Sequence, residues 1–297
     1  MATFFDDIKL KFKQGDLLVK LIFINVLVFL VLNIIGVVFK LFHIGNFDVV
    51  DYLAVPSQPS LLLLRPWTLF TYMFVHYEIL HILFNMLILY WFGRLFVSHF
   101  SERQLVGMYI LGGLSGAVVY VAAFNFIPYY VNLHSVLLGA SASVMAIVFG
   151  IAFYRPNLRA SIFFVGSIKI LYIALVMFAI DFISLDDMSN PGGHVAHIGG
   201  AIAGYLFALG MQKGKDISEW VNRILDVFVN LFSSLSSGRR KSKLKVTYSR
   251  REQDYEYNQR KHKQEADLDK ILDKIKQSGY DSLSSEEKKR LFDASKK

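Results

Sequence analysis

Leu17–Phe42 is an almost unbroken apolar run, and several later runs also exceed the roughly 18 apolar residues that mark a bilayer span. A segment of that kind has no water to satisfy its backbone, so it must form a helix with its own hydrogen bonds. The whole chain follows the same rule. Its 297 residues are 54% hydrophobic and 15% aromatic, with a mean hydropathy of +0.41, too apolar for an ordinary soluble protein. The expected class is therefore an all-α integral membrane protein. Leu17–Phe42 is longer than a signal-peptide core and no small-residue cleavage site follows it, so it is expected to persist as the first transmembrane helix.

The absence of cysteine excludes disulfides, thiolate metal sites and a cysteine nucleophile. The formal charge of +8 does not point to nucleic acid, because Lys and Arg concentrate after residue 212 and in short loops. That is the distribution of a membrane protein's cytoplasmic side, so the expected partners are the lipid bilayer and membrane proteins.

The charge bias sets the topology. Lys9, Lys11 and Lys13 precede the first span, so residues 1–16 are expected in the cytoplasm. Turn residues break His43–Trp67 into an external stretch. Further spans are expected at about Phe70–Phe96, Leu105–Ile127, Gly139–Tyr154, Ser161–Ile183 and His194–Met211. Six spans over residues 17–212 put Arg94, Arg103, Arg155, Arg159, Lys213 and Lys215 on the inner side, and both termini in the cytoplasm. Residues 213–263 read as an amphipathic helix (Ile217–Phe232) followed by a serine-rich basic linker drawn to anionic lipid. Residues 264–297 read as a small helical cytoplasmic hairpin with a capping box at Ser284/Glu287 and an unknown partner.

The polar groups inside this apolar frame are functional candidates, because placing them there is costly. Gly139-Ala-Ser141 opens the fourth span, and Ala196-His197 lies near the start of the sixth, at a similar depth. A serine among small residues and a histidine at that level are the parts of a nucleophile–base pair, and a direct Ser141–His197 hydrogen bond is expected. The start of the serine helix favours a developing oxyanion. His81 and Asn85, four apart, share a face of the second span, with His76 nearer the outer surface. Together with the Ser141 N–H they supply oxyanion donors. The competing reading is a metal site built from His76, His81, His194 and His197. His76-Tyr-Glu-Ile-Leu-His81 looks like HExxH, but the His–His spacing is five and Glu does not follow the first His. No metal and no cofactor are expected.

His76-x4-His81-x3-Asn85, Gly139-Ala-Ser141 and Ala196-His197-x2-Gly200-x3-Gly204, in that order, resemble the rhomboid family of intramembrane serine proteases. The resemblance covers roughly residues 17–212. It implies a six-helix rhomboid bundle in which Ser141 is the nucleophile, His197 the base, and His81 and Asn85 the oxyanion donors. It also implies that His76 and Gly139 support the site, and that Gly200 and Gly204 let the last helix pack against the serine helix. It carries expectations for the departures as well. Ala142 replaces a usual Gly and should put a methyl near the oxyanion site. Met145 replaces an aromatic that stacks on the histidine. Arg65-Pro66-Trp67 replaces a Trp-Arg pair. No acidic third member stands at the expected depth, so a dyad is expected, acting as an endopeptidase on transmembrane protein substrates from a bacterial inner (plasma) membrane. The alternative is a catalytically inactive relative that binds membrane clients.

Overall fold

The computed structural model describes residues 15–43, 49–162, 166–187 and 189–236, and scattered positions from 271 to 291. The basic N-terminal segment, the basic linker and most of the C-terminal hairpin lie outside the described residues. Helix α1 spans Leu17–Leu41 and is started by Asp16, whose side chain accepts from the Val19 N–H at 2.9 Å. It fully buries only Leu18, Leu21 and Asn25, packs Ile22 and Phe29 partly against the core, and leaves much of its other apolar surface exposed. The stretch between the first two spans folds into short pieces: strand β1 (Val55–Pro56), α2 (Pro59–Leu64) and α3 (Thr68–Thr71).

Four long or short helices then build the centre. They are α4 (Ile79–Val97), α5 (Glu102–Phe126), α6 (Ser141–Tyr154) and α7 (Ile170–Ile183). A capping box between Ser101 and Gln104 starts α5. Strand β2 (Val136–Leu137) precedes α6 and pairs antiparallel with β1, Val55 opposite Leu137. The hairpin β3 (Arg159–Ile162) and β4 (Gly166–Lys169) precedes α7. Helix α8 (Pro191–Gln212) completes the bundle, and α9 (Glu219–Ser236) follows.

Helices α1, α4, α5 and α8 are long and apolar enough to cross a membrane. Helices α6 and α7 have 14 residues each, about 21 Å at 1.5 Å per residue and short of the ~30 Å hydrocarbon core. They complete a bundle of six apolar helices. The fifth span is shorter than the sequence predicts because β3 and β4 take up its first residues. Helix α6 does not need to match a bilayer, because every residue from Ala142 to Ala152 is buried in protein.

Small residues make that burial possible. A Cβ at Gly200 would lie 2.1 Å from the Ala142 carbonyl oxygen, and one at Gly204 would lie 2.4 Å from that of Ala146. Helices α6 and α8 therefore touch backbone to backbone, as the Gly200/Gly204 spacing predicts. Helix α5 closes the third side: Gly112 faces the Ala146 methyl and Gly116 faces the Ala142 methyl. The Ser115 hydroxyl donates to the Gly199 carbonyl at 2.8 Å and ties α5 to α8.

Helix α9 is amphipathic, with Val221 and Asn222 buried and Trp220, Ile224, Val227 and Val229 exposed. Its start packs on Gly107 of α5, and an Arg103–Asp226 ion pair joins the same elements. Within the C-terminal unit, Ser284 and Glu287 form the expected reciprocal capping box, with bonds of 2.7 and 3.3 Å. Lys274 reaches Glu287 at 2.9 Å.

Candidate active site

Ser141 is the first residue of α6, where backbone N–H groups have no intrahelical acceptor and the helix dipole favours negative charge. The chain enters α6 through Gly139 at φ +115°, a conformation that disfavours any side chain. The Gly139 N–H donates to the Tyr72 carbonyl at 2.9 Å. A Cβ there would lie 2.9 and 3.1 Å from His81 Cε1 and Nε2 and 3.7 Å from Ser141 Oγ. A side chain at position 139 would therefore press on the His81 imidazole and approach the serine hydroxyl.

His76 does not lie on the second span, as the sequence suggested. The Tyr72–Phe74 turn gives way to extended backbone at Val75, and α4 begins only at Ile79. From this linker His76, 1% exposed, accepts the Ala140 N–H through Nε2 at 3.3 Å. Its ring meets that of His81 edge-on, with centroids 5.1 Å apart. It braces both the loop that presents Ser141 and the imidazole beside it. Asn85 follows His81 by one turn, as expected. It is buried, and its amide donates to the His81 carbonyl at 3.0 Å.

His197 lies in the second turn of α8, whose start is fixed by Pro191 and by Asn190 accepting from the Gly193 N–H at 3.1 Å. Two expectations fail here. Ser141 and His197 share no hydrogen bond, and His197 Nε2 is buried without a partner. The expected absence of an acidic partner is also overturned. Asp181, on the last turn of α7, meets His197 Nδ1 at 2.7 Å, and the same oxygen meets His194 Nδ1 at 2.9 Å. A carboxylate has no hydrogen to give, so both Nδ1 atoms donate. His197 is thereby held in the tautomer whose Nε2 lone pair is free. The signal was a lone carboxylate inside an apolar helix, costly unless paired.

The four histidines of the competing metal reading do not gather. His76 pairs with His81, while His194 and His197 gather on Asp181. The methyl of Ala142 does not line the oxyanion site either: it is buried against Gly116 of α5. Ser143 is fully buried beside Gly112, in a packing position.

A membrane-embedded helical bundle with a serine at the head of its central helix and a histidine on the adjoining one defines a class, and comparison with known proteins identifies it. Residues 64–213 match the Rhomboid domain, half of the chain. The protein belongs to the rhomboid family. It is 27% identical over 161 residues to RHOMBOID-like protein 12, mitochondrial, of Arabidopsis thaliana, covering 51% of this chain and 48% of that protein. The chain therefore matches about half the length of that curated relative. Residues 252–297 match a family of unknown function (DUF6576).

Proposed function

We propose that the protein is an intramembrane serine endopeptidase that cleaves transmembrane proteins near one end of their helices. The observation that carries this reading is His197, with Nδ1 on Asp181 and Nε2 buried and unpaired. Ser141 Oγ attacks the scissile carbonyl, and His197 Nε2 takes its proton and later gives it to the leaving amine. Water then hydrolyses the acyl-serine with the same base. Asp181 is a positioning residue that orients the imidazole and stabilises its charged form. The Ser141 N–H, His81 and Asn85 are the oxyanion donors. The Ser141–His197 hydrogen bond, absent from the free protein, forms when substrate binds, as catalytic hydrogen bonds often tighten only in the complex. The charge bias supports an orientation with both termini in the cytoplasm.

One observation favours the client-binding alternative: the nucleophile and base are not hydrogen-bonded in the free protein. The test is cleavage of a panel of model transmembrane substrates by purified protein in liposomes, beside Ser141→Ala, with fluorophosphonate labelling of Ser141. Cleavage and labelling that both vanish in Ser141→Ala establish the protease. No cleavage and no labelling of the wild type reject the protease and favour the client-binding alternative.

A further inference from the structure

His194 has no part in the proposed serine chemistry, yet it is built into the site as firmly as His197. The two stand three residues apart on α8, on one face. Both aim Nδ1 at the same Asp181 oxygen, which comes from a different helix, at 2.9 and 2.7 Å. The three ligand atoms lie within 4.8 Å of one another. The Asp181 side chain is 9% exposed and each imidazole is 17% exposed, so the cluster is sheltered but reachable. We propose that Asp181, His194 and His197 form a binding site for a divalent transition-metal ion of the zinc type, and that its occupancy switches off the base at His197.

The donor set selects the ion. Two imidazole nitrogens and one carboxylate oxygen suit Zn²⁺ and its neighbours, whereas Ca²⁺ and Mg²⁺ prefer oxygen alone. Zinc bonds of ~2.0–2.2 Å place neighbouring tetrahedral ligands about 3.4 Å apart. Each nitrogen therefore needs to draw back from the Asp181 oxygen by only about 0.5–0.7 Å from its present 2.9 or 2.7 Å. Water takes the fourth position. A divalent charge also compensates a carboxylate that is costly to keep inside an apolar bundle.

The switch follows from the tautomer. In the metal-free protein the His197 proton sits on Nδ1 and the lone pair on Nε2. A metal on Nδ1 uses the lone pair of that atom, so the single imidazole proton moves to Nε2, and no proton is lost. Nε2 then cannot accept the Ser141 proton. The metal-bound and base-competent forms of His197 are mutually exclusive. The inhibitory half of the proposal rests on the protease reading; the binding half does not.

The test uses the full chain in detergent, stripped with EDTA and desalted. It is titrated with Zn²⁺ by calorimetry and with Co²⁺ by visible absorption, beside His194→Ala, His194→Asn and the exposed-loop control His134→Ala. His194→Asn keeps an amide donor for Asp181 and guards against a folding defect in the alanine variant. Wild type and His134→Ala are expected to bind one equivalent, with a tetrahedral Co²⁺ spectrum. Both His194 variants are expected to bind at least ~1,000-fold more weakly, beyond the ~10–100-fold typical of changes outside the ligand set. Zn²⁺ is expected to stop cleavage by wild type but not by the His194 variants, with EDTA restoring it. Absence of binding by wild type, or equal binding by a folded His194 variant, overturns the metal site. Binding as expected in a protein that cleaves nothing retains the site and rejects the protease reading. Binding without inhibition of an active protein overturns the switch.

Discussion

Replacing Gly200 by Ala tests the packing that holds the two halves of the site together. The new Cβ would stand 2.1 Å from the Ala142 carbonyl oxygen and 2.9 Å from its carbon. Both are helix backbone and have no rotamer in which to escape. Reaching ordinary contact at 3.4 Å requires α6 and α8 to part by about 1.3 Å at that level. Overpacking of this kind costs about 1–3 kcal/mol. The larger effect is on the chemistry. Ala142 adjoins Ser141, and His197 lies one turn before Gly200, so parting the helices moves nucleophile from base. A misplacement of about 1 Å can cost ~10²-fold in rate. The control is Gly36→Ala on α1, where an added Cβ meets nothing within 4 Å and is expected to be neutral, or stabilising by about 0.5–1 kcal/mol. The assays are thermal unfolding in detergent and cleavage of a transmembrane substrate. If Gly200→Ala keeps the wild-type melting temperature and rate, the backbone contact does not set the site geometry and the reasoning fails.

Three further outcomes follow from single contacts. Asp181→Asn replaces the acceptor for His197 Nδ1–H with an amide that can donate, and is expected to lower kcat by about 10²–10⁴-fold with KM little changed; an unchanged kcat removes Asp181 from the mechanism. Ala142→Gly deletes a methyl packed on Gly116 rather than one facing the oxyanion, so it is expected to cost about 1 kcal/mol of stability with kcat unchanged, and a large change in kcat contradicts the placement. In the C-terminal unit, the Ser284 N–H first, and Lys274 after it, hold the Glu287 carboxyl down at about 2. A folded pKa below the unfolded value of 4.5 means stabilisation present above pH 4.5 and lost as pH falls toward 2; the protection of amides in this segment, relative to their intrinsic exchange rates, is expected to fall over that window in wild type and to stay constant in Glu287→Gln.

The sequence makes some of this architecture legible and leaves other parts hidden, each for a physical reason. Long apolar runs specify α1, α4, α5 and α8 because a bilayer permits little else. Gly200 and Gly204 announce the α6–α8 contact, since four-residue spacing of glycines places a bare stripe on one helix face. The extent of α6 is legible, Gly139–Tyr154 against the observed Ser141–Tyr154, but its complete burial is not, because a fully buried helix and a spanning one share the same apolar composition. His76 reads as helical by its spacing to His81, but the turn at Tyr72–Phe74 and extended Val75 set it on a linker. The direction of the Ala142 methyl depends on which neighbour lies on which side of α6. Asp181 was visible as a lone acid in Ala-Ile-Asp181-Phe-Ile, but its pairing with His194 and His197 depends on how α7 docks on α8.

The most direct test of the central claim compares wild type, Ser141→Ala and Ser143→Ala for cleavage of a transmembrane substrate in liposomes. The account predicts cleavage by wild type and Ser143→Ala and none by Ser141→Ala, with fluorophosphonate label on Ser141 alone. Cleavage that survives in Ser141→Ala, or a wild type that neither cleaves nor takes label, would contradict it.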